Sequence, residues 1–221
     1  MKRVIGAAAG IDYFKRERNL PTEAVLSDGR GLFPDKVSPI EFASRVIEIV
    51  RNEGDIGLAR INTALDGSSP DTFEVPQSEI DEAFQNLDPA SIKALELAAE
   101  RVRKFQSMGL PKSWTDGAGK FGERVTPLGS VAAYVPAGTA PLASTVIMTV
   151  VPAKVAGVEE IIVVTPAPGD SMPHPAVLAA AKIAGASRVF KLGGAQAIAA
   201  MAYGTETVPS VDLICGPGSA W

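Results

Sequence analysis

The sequence predicts an α/β fold: a helical amino-terminal region followed by a parallel sheet flanked by helices. Three observations carry that expectation. From about residue 121, β-branched runs alternate with Ala-rich helical stretches. Gly and Pro stand at most of the junctions. Ahead of that point, apolar residues recur at helical spacing. The change of period divides the chain into a helical region over 1–122 and a Rossmann-like unit over 123–221.

Residues 1–37 show no sustained period and mix charges with Pro21, Gly29, Gly31 and Pro34, so a loop or arm is expected. Ser38-Pro39-Ile40-Glu41 then starts a helix. Serine caps it, proline takes the first helical position, and glutamate completes a capping box. Phe42, Val46, Ile49 and Val50 form its apolar face, and Gly54 is expected to end it. A second, short helix turns Leu58, Ile61 and Leu65 inward and stops at Asp66-Gly67. Val75-Pro76 opens a third, with Ile80, Ala83, Phe84 and Leu87 as its stripe. Asp88-Pro89 caps a fourth, in which Ile92, Leu95, Ala99, Val102 and Phe105 face inward up to Gly109. This half holds no chemical motif and reads as a scaffold of packed helices.

Beyond Val125 the spacing predicts strands over 131–135, 161–164, 189–192 and 211–215. Helices are expected over 142–156, kinked at Pro152, over 176–184, and over 195–203. Ile161-Ile162-Val163-Val164 is continuously apolar and β-branched, the mark of a strand buried on both faces. The alternating order implies right-handed crossovers and a parallel sheet, with ligands at the carboxyl ends of the strands.

Composition narrows the function. With 21 basic and 25 acidic residues the net charge is −4, which argues against a nucleic-acid partner. The cluster Arg101-Val102-Arg103-Lys104 reads as the solvated face of a helix. The longest apolar run, 146–153, is too short to span a bilayer and contains Pro152. The start of the chain reads as a mature terminus. A single cysteine fits a reducing compartment, and a cytoplasmic location is expected.

Few residues can carry chemistry. Gly193 and Gly194 fall between a strand and a helix. Glycines there either seat a nucleotide phosphate on the helix start or merely make a tight turn. Gln196 either offers its amide to a ribose or base or is an ordinary polar residue at a helix start. Tyr134, at a strand end, either meets a ring or is a half-buried core tyrosine. Ser219, after Gly216-Pro217-Gly218, is a turn residue with no histidine to activate it. His174, the one histidine, lies in Pro173-His174-Pro175 and reads as a surface residue. Cys215 reads as a small apolar filler. One His and one Cys do not build a four-ligand zinc site. No catalytic residue and no metal ligand is assigned.

The order of blocks resembles the histidinol dehydrogenase family. It runs from about Val46 to Gly218 and includes Glu53-Gly54-Asp55 with Leu65-Asp66-Gly67, Leu110-Pro111 with Trp114, and Tyr134-Val135-Pro136-Ala137-Gly138-Thr139-Ala140-Pro141-Leu142. It continues in Pro152-Ala153-Lys154-Val155-Ala156-Gly157, Gly193 to Ala200, Gly204-Thr205-Glu206 and Gly216-Pro217-Gly218. The resemblance implies an incomplete, aldehyde-dehydrogenase-like dinucleotide-binding unit and an intertwined homodimer. It implies NAD-dependent oxidation of an amino alcohol through an aldehyde, with zinc. Tyr134 and Gln196 match positions that contact NAD in that family. Ser219 stands where an asparagine does so, and Ala133 and Ala137 stand where glycines are usual. Such a Cβ beside close-approach backbone can block a ligand. The family's zinc ligands, substrate residues and Glu–His acid/base pair follow the Gly-Pro-Gly turn, so none carries over to 1–221. The expectation is the amino-terminal part of such an oxidoreductase, inactive by itself. The alternatives are a non-catalytic binding or assembly module on the same fold, or another aldehyde-dehydrogenase-superfamily member, such as a semialdehyde dehydrogenase with Cys215 as its nucleophile.

Overall fold

The computed structural model describes residues 31–33, 35, 37–137, 140–167 and 171–218. The expected arm over 1–37 falls almost wholly outside these residues, and so does Ser219.

Helix α1 spans Pro39–Asp66. Ser38 Oγ accepts from the Glu41 N–H at 3.2 Å, and Pro39 opens the first turn, as the sequence predicts. The expected stop at Gly54 is present, as a kink between two helical segments that join into this one span. Gly54 takes φ 56 and ψ −133, yet the helix resumes at once. The cause lies far along the chain: the Glu206 carboxylate accepts from the Asp55 N–H at 2.8 Å and caps the restarting segment. A Cβ on Gly54 would meet that carboxylate, which would have to swing away and give up its cap, so glycine serves the cap as well as the positive φ. The backbone donor holds the Glu206 carboxyl below its ordinary value.

Helix α2 spans Gln77–Asn86 and α3 spans Pro89–Met108. Asp88 caps α3 by accepting from the Ser91 N–H at 2.9 Å. Phe105, expected inward, is 69% exposed, because no element among the described residues covers the last turn of α3. A small antiparallel hairpin follows, β1 (Trp114–Thr115) with β2 (Gly122–Glu123), which periodicity does not predict. Asp116 builds its turn. One carboxylate oxygen accepts from the Lys120 N–H at 2.7 Å and the Phe121 N–H at 3.0 Å.

The second half alternates as expected: β3 (Ser130–Tyr134), α4 (Ala143–Val155), β4 (Glu160–Thr165), α5 (Pro175–Ala184), β5 (Arg188–Lys191), α6 (Gly194–Tyr203) and β6 (Leu213–Cys215). The strands pair in parallel in the order β5-β4-β3-β6. The chain steps outward from β3 to β5, then α6 carries it back to the other side of β3. His174 is more than a surface residue: its Nδ1 accepts from the Ala176 N–H at 3.1 Å and caps α5.

Alternation along the strands builds two cores. Val131, Ala133, Ile161 and Val163 face α4 and α5, with Val146, Ile147, Val150 and Leu178. Ala132, Ile162, Val164 and Phe190 face α1 and α6, with Val46, Leu58, Ile61 and Met201. Both faces are therefore covered, which is why these strands read as unbroken apolar runs. Helices α2 and α3 pack on α5 and α4. Residues 73–75 run antiparallel along the outer edge of β5. The Val75 N–H donates to the Val189 carbonyl at 2.8 Å, and the Lys191 N–H donates to Phe73 at 2.7 Å. Arg188 holds Glu74 with a two-point ion pair at 2.8 and 2.6 Å, which lowers the Glu74 carboxyl from its ordinary value. Among the described residues no helix is long and apolar enough to cross a membrane.

Candidate functional site

A parallel sheet that reverses its strand order opens a crevice between the two strands where successive crossovers part to opposite faces. Here those strands are β3 and β6. The crevice at their carboxyl ends holds about 290 Å³ and is lined by Tyr134, Pro136, Gly194, Ile198, Ile214, and Cys215 with Gly216-Pro217-Gly218.

Each wall follows from local structure. β3 ends at Tyr134, and Pro136, two residues on, cannot donate to a ladder. The Tyr134 hydroxyl accepts from the Gly194 N–H at 3.2 Å, at the start of α6. The floor is glycine. A Cβ on Gly216, at φ 148, would overlap the Tyr134 carbonyl oxygen. Gly193 is extended, and its need is room: an added Cβ would stand 2.8 Å from Pro166 Cγ, just past β4. Ala133 directs its methyl into the α4-side core and is fully buried, so that Cβ is kept out of the crevice. Ala137 is exposed just past the strand.

Of the five residues singled out from the sequence, Tyr134 and Gly194 line the crevice together, and Gly193 borders it through the same turn. Gln196 lies behind that turn, 3% exposed, with Nε2 donating to Asn62 Oδ1 at 3.2 Å. Ser219 lies outside the described residues, one position past the lining. Asn62 went unnoticed in the sequence, although the signal was there. It falls four residues after Leu58 and three before Leu65, so an amide occupies the apolar stripe of α1.

Cys215 closes β6, and burial pushes its thiol above the ordinary value. That is the reverse of what an activated thiol nucleophile needs. A larger groove of about 590 Å³, lined by Leu110, Leu128, Met148, Pro152 and Leu213 among others, is more apolar. Its lining offers few polar groups to orient a ligand, whereas the crevice combines backbone donors, an aromatic hydroxyl and a glycine floor. Among the described residues no group of three or more His, Cys, Asp or Glu could hold a metal ion.

An open parallel sheet with helices on both faces and a candidate crevice at the strand reversal defines a doubly covered α/β protein. The histidinol dehydrogenase family model matches residues 35–221, and the chain belongs to that family. It is 47% identical over 201 residues to histidinol dehydrogenase of Deinococcus radiodurans, covering 89% of this chain and 45% of the relative. It is likewise 47% identical over 203 residues to histidinol dehydrogenase of Methanosarcina mazei, covering 90% of this chain and 46% of the relative. Among solved structures, histidinol dehydrogenase from Elizabethkingia anophelis superposes with a TM-score of 0.77 at 30% identity, covering 88% of this chain and 46% of that one. The chain thus spans somewhat less than half the length of the relatives it matches.

Proposed function

We propose that this chain supplies the NAD-side part of a histidinol dehydrogenase, an oxidoreductase of histidine biosynthesis that takes histidinol through its aldehyde to histidine. One observation carries the reading: the crevice at the strand reversal is lined by the family blocks around Tyr134, Gly194 and Gly216-Pro217-Gly218. In this reading Tyr134, Gly193, Gly194, Gln196 and Ser219 are the cofactor-binding positions. Residues 123–221 form the Rossmann-like unit, and 1–122 are the first part of a discontinuous domain.

The residues present fit a dinucleotide. Glycine at 216 and 193 lets the turns beside the crevice close against Tyr134 and Pro166, where a Cβ would collide with the chain itself. The start of α6 brings the positive end of its dipole to the crevice at Gly194. The Tyr134 ring and Ile198 offer apolar walls to a base or a nicotinamide ring. Bound NAD would supply the hydride acceptor, and the chain's part is to bind it and orient it. The described residues do not fit zinc, so no step is assigned to it.

The reading is tested by titrating the purified chain with NAD and, separately, by following NADH absorbance with histidinol, NAD and zinc. Saturable binding without turnover is the expected result. Absence of binding would refute it in favour of a non-catalytic assembly module. The reading extends to a cytoplasmic homo-oligomer. Phe105 at 69%, Met108 at 73% and Phe121 at 66% exposure present apolar surface suited to a protein partner. A compact monomer in sedimentation would contradict that part.

A further inference from the structure

Behind the crevice lies a buried acceptor that no described residue satisfies. Gln196 is 3% exposed and Asn62 is 5% exposed. Gln196 Nε2 donates to Asn62 Oδ1 at 3.2 Å, and Gln196 Oε1 has no hydrogen-bond partner among the described residues. That oxygen lies against the Gly193-Gly194 turn: a Cβ on Gly194 would stand 2.6 Å from it. Gly194 in turn lines the crevice. Buried polar atoms in folded proteins are almost always paired, so a bare one beside a ligand crevice points to a donor that arrives with the ligand.

A glutamine amide has two unlike ends. Which end faces the turn is decided by what holds the other. Asn62 Oδ1 only accepts, so it takes the NH2 end of Gln196 and leaves the oxygen toward Gly194. We propose that Asn62 is a positioning residue: it fixes the Gln196 amide with Oε1 turned to the Gly194 turn, where it accepts from a hydroxyl or amide donor of the dinucleotide. This rests on the reading of the crevice as the NAD site. It also ties the helical region to that site, because Asn62 belongs to α1 and Gln196 to α6.

The experiment is an NAD titration of the chain and of variants, each with a thermal melt. Parent protein binds NAD. Asn62→Ala weakens binding roughly three- to tenfold, the worth of one ordinary hydrogen bond. Asn62→Leu and Asn62→Asp keep the side-chain volume. The leucine loses the acceptor and weakens binding likewise, whereas the aspartate keeps it and stays within about twofold of the parent. These two variants carry the test if Asn62→Ala does not fold. In a Gln196→Ala background the Asn62 substitutions have no further effect on binding. A merely structural Asn62 would lower the melting temperature and leave the Kd unchanged. Equal affinity of the parent and Asn62→Leu, or an equal loss in the Gln196→Ala background, overturns the positioning role alone. A parent chain that binds no NAD overturns the dinucleotide reading and the role together.

Discussion

Replacing Gly54 by alanine probes the least ordinary point of the scaffold. The residue sits at φ 56 and ψ −133, a region that residues with a Cβ avoid. Forcing alanine to hold it costs about 1–3 kcal/mol. Loss of the cap adds to this, because the new methyl would displace the Glu206 carboxylate that accepts from the Asp55 N–H. For a chain of this size each kcal/mol lowers the melting temperature by roughly 2–4 °C, so a drop of about 4–8 °C follows from a mid-range cost. Gly67→Ala is the control. Gly67 also has a positive φ, 83, but a Cβ there meets nothing within 4 Å. It therefore reports the backbone cost without the collision. Melting curves by circular dichroism should rank Gly54→Ala below Gly67→Ala. In a Glu206→Ala background the deficit of Gly54→Ala should shrink, since the obstructing group is gone. If Gly54→Ala melts no lower than Gly67→Ala and its deficit is unchanged without Glu206, the account of a distant cap is wrong.

Three further outcomes are expected. Ile162→Ala, at a fully buried position on β4, should destabilise by about 2–5 kcal/mol, read from a urea midpoint with unchanged slope. The Glu74 carboxyl is held below its ordinary value of 4.5 by Arg188, so its stabilising effect is complete above that value and is lost as pH falls through the lowered one. Melts between pH 6 and about pH 3 should show that loss, and Glu74→Gln should flatten it. Cys215, with its thiol raised by burial, should react with an alkylating reagent at neutral pH more slowly than free cysteine, as read by intact mass. Rapid modification of the native protein would contradict the strand-end packing described here.

The fold was largely legible where local chemistry decides it. Ser38 and Asp88 announced their helices because a capping oxygen acts within three residues. The strand at 161–164 was plain because a strand covered on both faces has no polar side to show. Legibility failed where the decisive partner was remote. Gly54 was readable as the break between two helical segments, but the cap on the second, Glu206, was not, because it lies 151 residues from Asp55. The β1–β2 hairpin went unread because strands of two residues have no period, and a side chain, Asp116, holds their turn. In the crevice, Tyr134 and the glycines were readable as strand ends. Their meeting was not, since it depends on β6 taking its place beside β3 rather than beside β5. The burial of Gln196 was unreadable for the same reason: Asn62 lies 134 residues away.

The strand of 73–75 laid along β5 has a consequence for solubility. A bare sheet margin is a template for another chain, and here the protein's own early segment occupies that margin, pinned by Glu74 and Arg188. Damage that lifts this strip would uncover a row of unanswered amides while the helices remain wound. Such variants would precipitate before they lose their helical signal, and the first symptom of a lesion at Glu74 would be turbidity rather than melting.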